Sequence, residues 1–302
     1  MWVMVFVVGE TFANTCENLQ DSCLEPLVSL VLPFFQSEGS NSQVNRIIGN
    51  KDLRFLDPFL LFDHFRSEPP GGFPDHPHRG FTTLTYMLNG TCQHEDFLGN
   101  KGEVSSGDLQ YMNAGKGIVH AEMPKDGPMN GIQLWVNLHS SHKLLPPSYQ
   151  ELKSSNFPII LSDKYKVKVV IGSFLNENSP IKPTPPLNFF DIEIQEKGEI
   201  EYKVLDNWSC FVYTISGEIA IGDKKIFENS AGVIGNGEIV ISGKGIGVNR
   251  FLIVAGEKIG EKVVQRGPFV MNSEEEIRKT YKDFQGFANG FENARGWRSK
   301  FA

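Results

Sequence analysis

The sequence predicts an all-β protein with two stacked antiparallel barrels and a short C-terminal helix. Three observations support this fold class. Short runs of β-branched or alternating apolar residues are separated by turn signals about every 8–12 residues, as in β-sandwiches and barrels. These runs form two groups of similar size on either side of a break at Pro146-Pro147. Beyond residue 270 the apolar spacing changes to that of a helix.

The individual strands follow from the local pattern. Each predicted strand is a short run rich in valine, isoleucine and aromatic residues, which β-strands favour. Each is bounded by a turn signal such as Asn89-Gly90 or Ser216-Gly217. The predicted strands are residues 27–35, 81–88, 131–138, 166–171, 189–194, 210–215, 218–221 and 250–255.

We divide the chain into three parts. Residues 27–153 are expected to form the first domain and residues 154–302 the second, with a short helical turn at 149–153 beside the break. Residues 1–26 are interpreted as a variable extension or a wrongly assigned start. Their apolar run at 1–8 lacks a basic flank, is short for a signal peptide and is far too short for a membrane span, so a weak secretory signal is the less favoured alternative.

The C-terminal segment predicts one helix. Ser273 and Glu276 have the spacing of a capping box, in which two side chains satisfy exposed backbone donors at a helix start. Ile277, Tyr281 and Phe284 then follow one helical face. We expect this helix to pack on a barrel and to end near Gly286.

Two pairs of metal-capable side chains are the most informative feature of the chain: His76 with His78, and His120 with Glu122. Residues i and i+2 of a strand point to the same face, roughly 6.5–7 Å apart. Two such strands facing each other would offer three imidazoles and one carboxylate to a single ion. Pro77 suits an edge strand, because it has no N–H to donate.

This donor set suits Fe(II), Mn(II), Ni(II), Cu(II) or Zn(II) and does not distinguish them. The four cysteines have no useful spacing here, so a closed thiolate zinc site is not expected. An open, redox-capable site fits better. No histidine follows His142, so the second domain cannot repeat the site and we expect one metal per chain.

Composition excludes several function classes. The formal net charge is −7, which argues against direct binding to nucleic acid, since that requires clustered lysine and arginine. Any link to nucleic acid would run through a protein partner. The four scattered cysteines indicate a reducing compartment. No segment suggests membrane insertion.

Long motifs in the chain resemble the pirin family, a branch of the cupin superfamily. Examples are Pro70-Gly-Gly-Phe-Pro-Asp-His-Pro-His-Arg-Gly-Phe81 and Ala114-Gly-Lys-Gly-Ile-Val-His-Ala-Glu-Met-Pro124. Residues 56–63, 94–97, 133–138, 213–217, 267–272 and 290–294 continue the resemblance.

The resemblance implies a bicupin, two facing antiparallel β-barrels of jelly-roll type, with metal in the N-terminal barrel alone. It implies iron, Fe(II) or Fe(III), bound by His76, His78, His120 and Glu122. One departure is Thr82, which stands where cupins generally carry a glutamate. That substitution puts a supporting carboxylate in doubt, but not the four ligands.

The resemblance implies two functions. In the first, the protein is a redox-sensitive transcriptional coregulator of nucleus and cytoplasm, a monomer that contacts transcription factors or other nuclear proteins. In the second, it is a quercetin (flavonol) 2,3-dioxygenase that uses the same metal and O₂. On the resemblance, we favour the coregulator. A metal-bearing scaffold with neither role is a third interpretation.

For the dioxygenase, Glu122 is the candidate base that accepts the proton of the flavonol 3-hydroxyl. The candidate apolar wall residues, chosen by their proximity in sequence, are Phe73, Phe81, Met112 and Ile118.

Overall fold

A computed structural model describes residues 27–38 and 41–302 of the chain, so the predicted extension at 1–26 lies outside the described residues. Up to residue 153 the strands are β1 (Leu27–Val31), β2 (Phe35–Ser37), β3 (Ser42–Ile48), β4 (Phe59–Ser67), β5 (Phe73–His78), β6 (Phe81–Asn89), β7 (Thr91–Asp96), β8 (Lys101–Ser105), β9 (Leu109–Asn113), β10 (Ile118–Pro124), β11 (Met129–Asn137) and β12 (Ser148–Leu152).

From residue 154 onward, strands again dominate the chain. They are β13 (Ile159–Leu161), β14 (Tyr165–Ile171), β15 (Ser173–Phe174), β16 (Glu177–Asn178), β17 (Leu187–Gln195), β18 (Glu199–Val204), β19 (Trp208–Ser216), β20 (Glu218–Ile221), β21 (Lys224–Phe227), β22 (Ala231–Ile234), β23 (Gly237–Gly243), β24 (Val248–Glu257), β25 (Val264–Arg266) and β26 (Phe269–Met271). One α-helix, α1 (Glu274–Gly286), follows, and short 3₁₀ turns lie at Ser140–His142, Ser154–Asn156 and Glu292–Ala294.

Each half of the molecule contains a seven-stranded sheet and a four-stranded sheet. The first half has the orders β12-β9-β6-β11-β4-β3-β2 and β5-β10-β7-β8. The second half has β1-β22-β19-β24-β17-β14-β13 and β18-β23-β20-β21. Neighbouring strands pair antiparallel, as between β6 and β11 or between β17 and β24. The predicted all-β fold class is therefore confirmed.

The two seven-stranded sheets face each other across one apolar cluster. Phe211 of the second half is fully buried and meets Phe59 and Phe62 of the first half edge to face, with ring centroids 5.4 and 5.1 Å apart. Leu84 and Leu134 of the first half belong to the same cluster. This shared interior is why the halves form one molecule rather than two separate barrels.

The segment at residues 27–31 was expected to open the first barrel, and this expectation is wrong. β1 pairs with β22 and so belongs to the second half, with Val31 opposite Ala231. Leu27 is buried in the apolar interior of that half together with Ile226 and Ile234. The division of the two domains at residue 153 stays a prediction.

The C-terminal segment, which follows the second half in sequence, packs on the first half. α1 has Ser273 as its N-cap, whose hydroxyl accepts a hydrogen bond from the backbone N–H of Glu276, so the predicted capping box is confirmed. Although this helix follows the second barrel in sequence, Phe269, Ile277 and Phe291 pack with apolar residues of the first half. Those residues are Phe97, Met112, Ala114, Ile118 and Val119.

The helical turn predicted at 149–153 is wrong. These residues lie mostly in β12, which pairs with β9, and the 3₁₀ turn begins at Ser154. Tyr149 packs its ring against the apolar cluster beneath the sheet. A strand is therefore favoured by tertiary contacts that the local pattern does not contain.

Candidate metal centre

Two adjacent strands carry the predicted ligands. β5 is the edge strand of its four-stranded sheet and pairs with β10, which places His76 directly opposite His120. The register shifts between His120 and Glu122, so that Glu122 lies opposite Phe73. Such irregularities redirect side chains and are common beside functional sites. The expectation that Pro77 marks an edge strand is met.

The structure brings the three histidines together. The ligand nitrogens of His76, His78 and His120 all lie within 4.8 Å of one another. The ring centroids are 4.7 Å apart for His76 and His78, 4.3 Å for His76 and His120, and 5.0 Å for His78 and His120. His78 and His120 are buried, whereas His76 is partly exposed. This cluster could hold one metal ion.

The chemistry of the three rings fits a transition metal. Nδ1 of His78 and both ring nitrogens of His120 are buried without a hydrogen-bond partner, a costly state that a metal bond would relieve at one nitrogen of a ring. The Nδ1 atom of His76 lies 2.8 Å from the carbonyl of Pro74, which leaves its Nε2 free for an ion. Burial, reinforced by His76, lowers the pKa of His78 and of His120 well below the usual value. Both rings are therefore neutral, the form that binds metal.

Glu122 occupies a different position from the three histidines. One carboxylate oxygen accepts a hydrogen bond from the Thr85 hydroxyl at 2.8 Å, and the other accepts one from the Gln133 amide at 3.2 Å. The second oxygen lies 4.0 Å from Nε2 of His120. Glu122 is outside the cluster that lies within 4.8 Å, so its assignment as the fourth ligand stays a prediction.

Sequence reasoning missed Thr85 and Gln133, although one signal was present. Successive strand residues point to opposite faces, and Thr85 is three positions after Thr82 on β6, so the two lie on opposite faces. Thr85 contacts Glu122, whereas Thr82 is fully buried on the other face. Thr82 offers no carboxylate to support the site. The Glu122 carboxylate is instead held by hydrogen bonds from the Thr85 hydroxyl on β6 and the Gln133 amide on β11.

A cavity of about 1090 Å³ opens onto this cluster and is lined by His76, His78 and Glu122. Its apolar lining consists of Val44, Phe55, Leu60, Leu61, Phe65, Phe73, Pro74, Trp135 and Val263. Its charged lining consists of Glu38, Arg46, Arg54, Asp63, Asp75 and Arg266. Its lining is therefore a mixture of apolar and charged side chains, and a cavity of about this size is typical of a small-molecule site.

The predicted wall residues are correct in one case of four. Phe73 lines the cavity. Phe81 lies behind it, with its ring centroid 5.1 Å from that of His78 and 4.5 Å from that of Trp135. Met112 and Ile118 pack against the C-terminal segment instead. Proximity in sequence failed here because alternate residues of a strand face opposite sides.

The fold and the site define a class: a bicupin with a three-histidine candidate metal centre in its first half. The sequence model of the family described as Pirin matches residues 41–136, and that of the pirin C-terminal cupin domain matches residues 189–290. Pirin of Mus musculus is 46% identical over 277 residues, covering 89% of this chain and 96% of the mouse protein. The chain belongs to the pirin family.

Solved structures of the same fold agree with this classification. The crystal structure of quercetin 2,3-dioxygenase from Acinetobacter baumannii matches with a TM-score of 0.80 at 24% identity, over 88% of this chain and 98% of that one. A bacterial pirin from Escherichia coli in complex with nickel(II) matches with a TM-score of 0.62 at 17% identity, over 76% and 98%. At these identities the likeness shows the fold, and the predicted bicupin is confirmed. In the part of the chain that the structure describes, no helix has the length and apolar character needed to span a bilayer.

Proposed function

We propose that the protein is an iron-dependent dioxygenase that acts on a flavonol of the quercetin type. The observation that supports this best is the cavity of about 1090 Å³, which opens directly onto His76, His78 and Glu122. Its volume suits a planar, multi-ring substrate. Our preference for the coregulator rested on family resemblance alone, and the cavity now favours the enzyme.

The donor set supports one iron ion per chain. Neutral imidazoles, with or without the Glu122 carboxylate, are ligands that Fe(II) accepts, and the same set also takes Mn(II), Ni(II), Cu(II) or Zn(II). When bound, iron would act as a Lewis acid toward the substrate oxygens and as an electron path to O₂.

The residues around the ion would orient the substrate and remove its proton. Glu122 would accept the proton of the flavonol 3-hydroxyl, while Thr85 and Gln133 hold its carboxylate in place. Each carboxylate oxygen can accept a further hydrogen bond, so both contacts would persist. The rings of Phe73 and Trp135 would pack against the flavonol and exclude water.

An aerobic assay of the iron-loaded protein with quercetin tests this proposal. We expect loss of flavonol absorbance that depends on protein and on iron. The control is the double variant His76→Ala, His78→Ala, which removes two ligands. If the wild-type protein consumes quercetin no faster than this control, the enzyme proposal is wrong.

We propose a second role, as a redox-sensitive transcriptional coregulator in nucleus and cytoplasm that binds transcription factors as a monomer. The partial exposure of His76, on an edge strand, supports it. An ion held there would lie near the surface, where the one-charge difference between Fe(II) and Fe(III) could bias the affinity for a protein partner. The net charge of −7 suits protein contacts better than nucleic acid.

Pull-down of nuclear proteins with the ferrous, ferric and apo forms tests this second role. We expect a defined set of partners to bind one oxidation state more strongly than the others. Equal recovery by all three forms would rule out regulation by the redox state of the ion.

A further inference from the structure

We propose that the C-terminal segment, residues 264–300, is a clamp that positions the metal-ligand strand β5, and that Arg79 and Asp283 are the positioning pair through which it acts. This inference rests on the metal-binding part of the proposed function. It assigns a role toward the ion to residues that do not contact the ion.

The clamp contacts the chain at the C-terminal end of β5. β5 ends its four-stranded sheet, so one of its edges has no strand partner within that sheet. Immediately after His78, the backbone N–H of Arg79 donates to the carbonyl of Pro268 at 3.3 Å, and the N–H of Val270 donates to the carbonyl of Arg79 at 3.0 Å. The C-terminal segment therefore continues the hydrogen bonding at the end of the edge strand that carries two ligands.

The Arg79 side chain extends this contact into the clamp. Its guanidinium is buried and donates to Asp283 at 2.8 Å and to the carbonyl of Asn289 at 2.6 Å. It also lies over the ring of Phe291, 4.6 Å from the centroid. A buried charge held in this way fixes the backbone that bears it, because any displacement would leave the charge unpaired.

Arg79 also joins the two ligand strands. Its Nε donates to the carbonyl of Lys116 at 2.6 Å, in the turn that precedes β10 and therefore His120. A side chain added at Gly117 would meet the ring of Phe291 at 2.8 Å, so this turn packs closely against the clamp as well. One guanidinium thus links β5, the start of β10 and the C-terminal segment.

The last residues of the clamp bind the chain just before His76. The backbone N–H of Ser299 donates to the Asp75 carboxylate at 3.1 Å, and Asp75 directly precedes His76. The Ser299 hydroxyl lies 3.3 Å from the Glu95 carboxylate on β7, and the N–H of Lys300 donates to Glu95 at 2.8 Å. Both flanks of the segment from His76 to His78 are therefore held by residues more than 180 positions later in the chain.

Two consequences follow from this arrangement. Loosening the clamp should allow β5 to fray and should lower the metal affinity by about 10–100-fold. Loss of supporting contacts has an effect of this size at other metal sites. Because linkage is reciprocal, metal binding should in turn hold the clamp in place by the same factor.

The first experiment uses full-length Asp283→Asn, with nickel(II) affinity measured by chelator competition and the absorption spectrum of the cobalt(II) form as a reporter of ligand geometry. We expect affinity to fall about 10-fold or more, with an altered cobalt spectrum, and Asp283→Glu to recover part of both. The control is Asp191→Asn, which breaks the pair between a buried carboxylate and the partly exposed Arg250 in the second half and weakens the hydrogen bond from the Tyr86 hydroxyl. It should lower stability but leave affinity and spectrum unchanged.

A milder variant and a second measurement cover the case in which Asp283→Asn does not fold. Ser299→Pro removes the N–H donated to Asp75 and the hydroxyl near Glu95. We expect it to weaken nickel binding, and we expect nickel to slow amide hydrogen exchange in α1 of the wild-type protein.

Wild-type affinity and spectrum in both clamp variants, or equal losses in Asp191→Asn, would overturn the clamp. If the wild-type protein itself binds no metal, both the clamp and the proposed function are wrong, whereas metal binding that depends on the clamp without consumption of quercetin would overturn the proposed function alone.

Discussion

Glu122 is the residue at which the histidine cluster and the cavity meet. It lines the cavity, and an oxygen of its carboxylate lies 4.0 Å from Nε2 of His120. Thr85 and Gln133 hold its two oxygens by hydrogen bonds. This geometry suits a base that reaches a substrate hydroxyl, and a small movement would also bring the carboxylate toward an ion bound by the histidines.

The variant Glu122→Gln separates these two roles. Glutamine keeps the volume and can still accept a hydrogen bond from Thr85, but it is not a base. We expect kcat for quercetin to fall about 10²–10⁴-fold, the usual contribution of general-base catalysis, while the iron content stays unchanged. Steady-state kinetics and metal analysis measure both quantities. Glu151→Gln is the control, since Glu151 is on β12 and does not line the cavity. Loss of iron from Glu122→Gln would instead assign Glu122 to the ligand set.

His64 is a buried histidine that is not part of the metal cluster. Its ring nitrogens lie 2.7 Å from the Tyr213 hydroxyl and 2.7 Å from the Asn130 side-chain oxygen, so it joins the two halves of the molecule. Burial lowers the pKa of His64 from 6.5 to about 4. The ring is therefore neutral in the folded protein at every pH near neutrality.

This lowered pKa predicts a pH dependence of stability. Between pH 6.5 and 4 the unfolded chain binds a proton that folded His64 does not, so the free energy of unfolding falls as the pH drops. The loss should reach about 3 kcal/mol at pH 4. Urea unfolding measures the free energy of unfolding at pH 7 and at pH 4. The drop in this free energy between the two pH values should be about 3 kcal/mol smaller in His64→Gln than in the wild type. His139→Gln, at an exposed histidine, should keep the wild-type decrease; equal decreases in all three proteins would contradict this account.

At the scale of elements, α1 is the only α-helix among the described residues, and its local sequence is sufficient to begin it. The Ser273 hydroxyl accepts the N–H of Glu276, and the Glu276 carboxylate accepts the N–H of Asn272. The same helix supplies Asp283 to the buried pair with Arg79. The start of the helix is thus a local matter, whereas its position on the first half depends on distant residues.

Removal of the cap should therefore destabilise the C-terminal segment. Ser273→Ala leaves the N–H of Glu276 without its acceptor, and we expect the free energy of unfolding to fall by about 1 kcal/mol. Thermal or urea unfolding measures this, with Ser37→Ala at an exposed position of β2 as the control. If the two variants are equally stable, the cap contributes nothing to the folded protein.

At the scale of the whole molecule, the two halves share their interior. The cluster between the seven-stranded sheets contains Phe59 and Phe62 from one half and Phe211 and Tyr213 from the other. β1 crosses into the second half and α1 packs on the first. Each half is therefore completed by the other, and we expect the protein to unfold in one cooperative transition.

Phe211→Ala tests this expectation. Truncating a fully buried phenylalanine at the interface should cost about 3–5 kcal/mol and shift the single urea transition to lower concentration. Circular dichroism and tryptophan fluorescence should report the same midpoint. Phe227→Ala, at a ring that is 51% exposed, should change the midpoint little. Two separate transitions in the wild-type protein would show that the halves are independent.

The sequence by itself determined the features that depend on neighbours along the chain. Strand alternation places His76 with His78, and His120 with Glu122, on one face, and the absence of histidine after His142 confines this set to the first half. The capping box and most of the predicted strands are local in the same sense. These signals were enough to predict the fold class and the histidine cluster.

The tertiary structure alone decided what depends on distant residues. Sheet partners placed β1 in the second half, the packing of α1 brought Asp283 to Arg79, and contacts from Thr85 and Gln133 set the direction of Glu122. The strand with which a given strand pairs depends on burial and register across the whole sheet. A short run of alternating residues can pair equally well with several strands, so its own sequence does not select one of them. For that reason the histidine cluster could be predicted from the sequence, whereas the cavity walls and the contacts of the C-terminal segment with β5 could not.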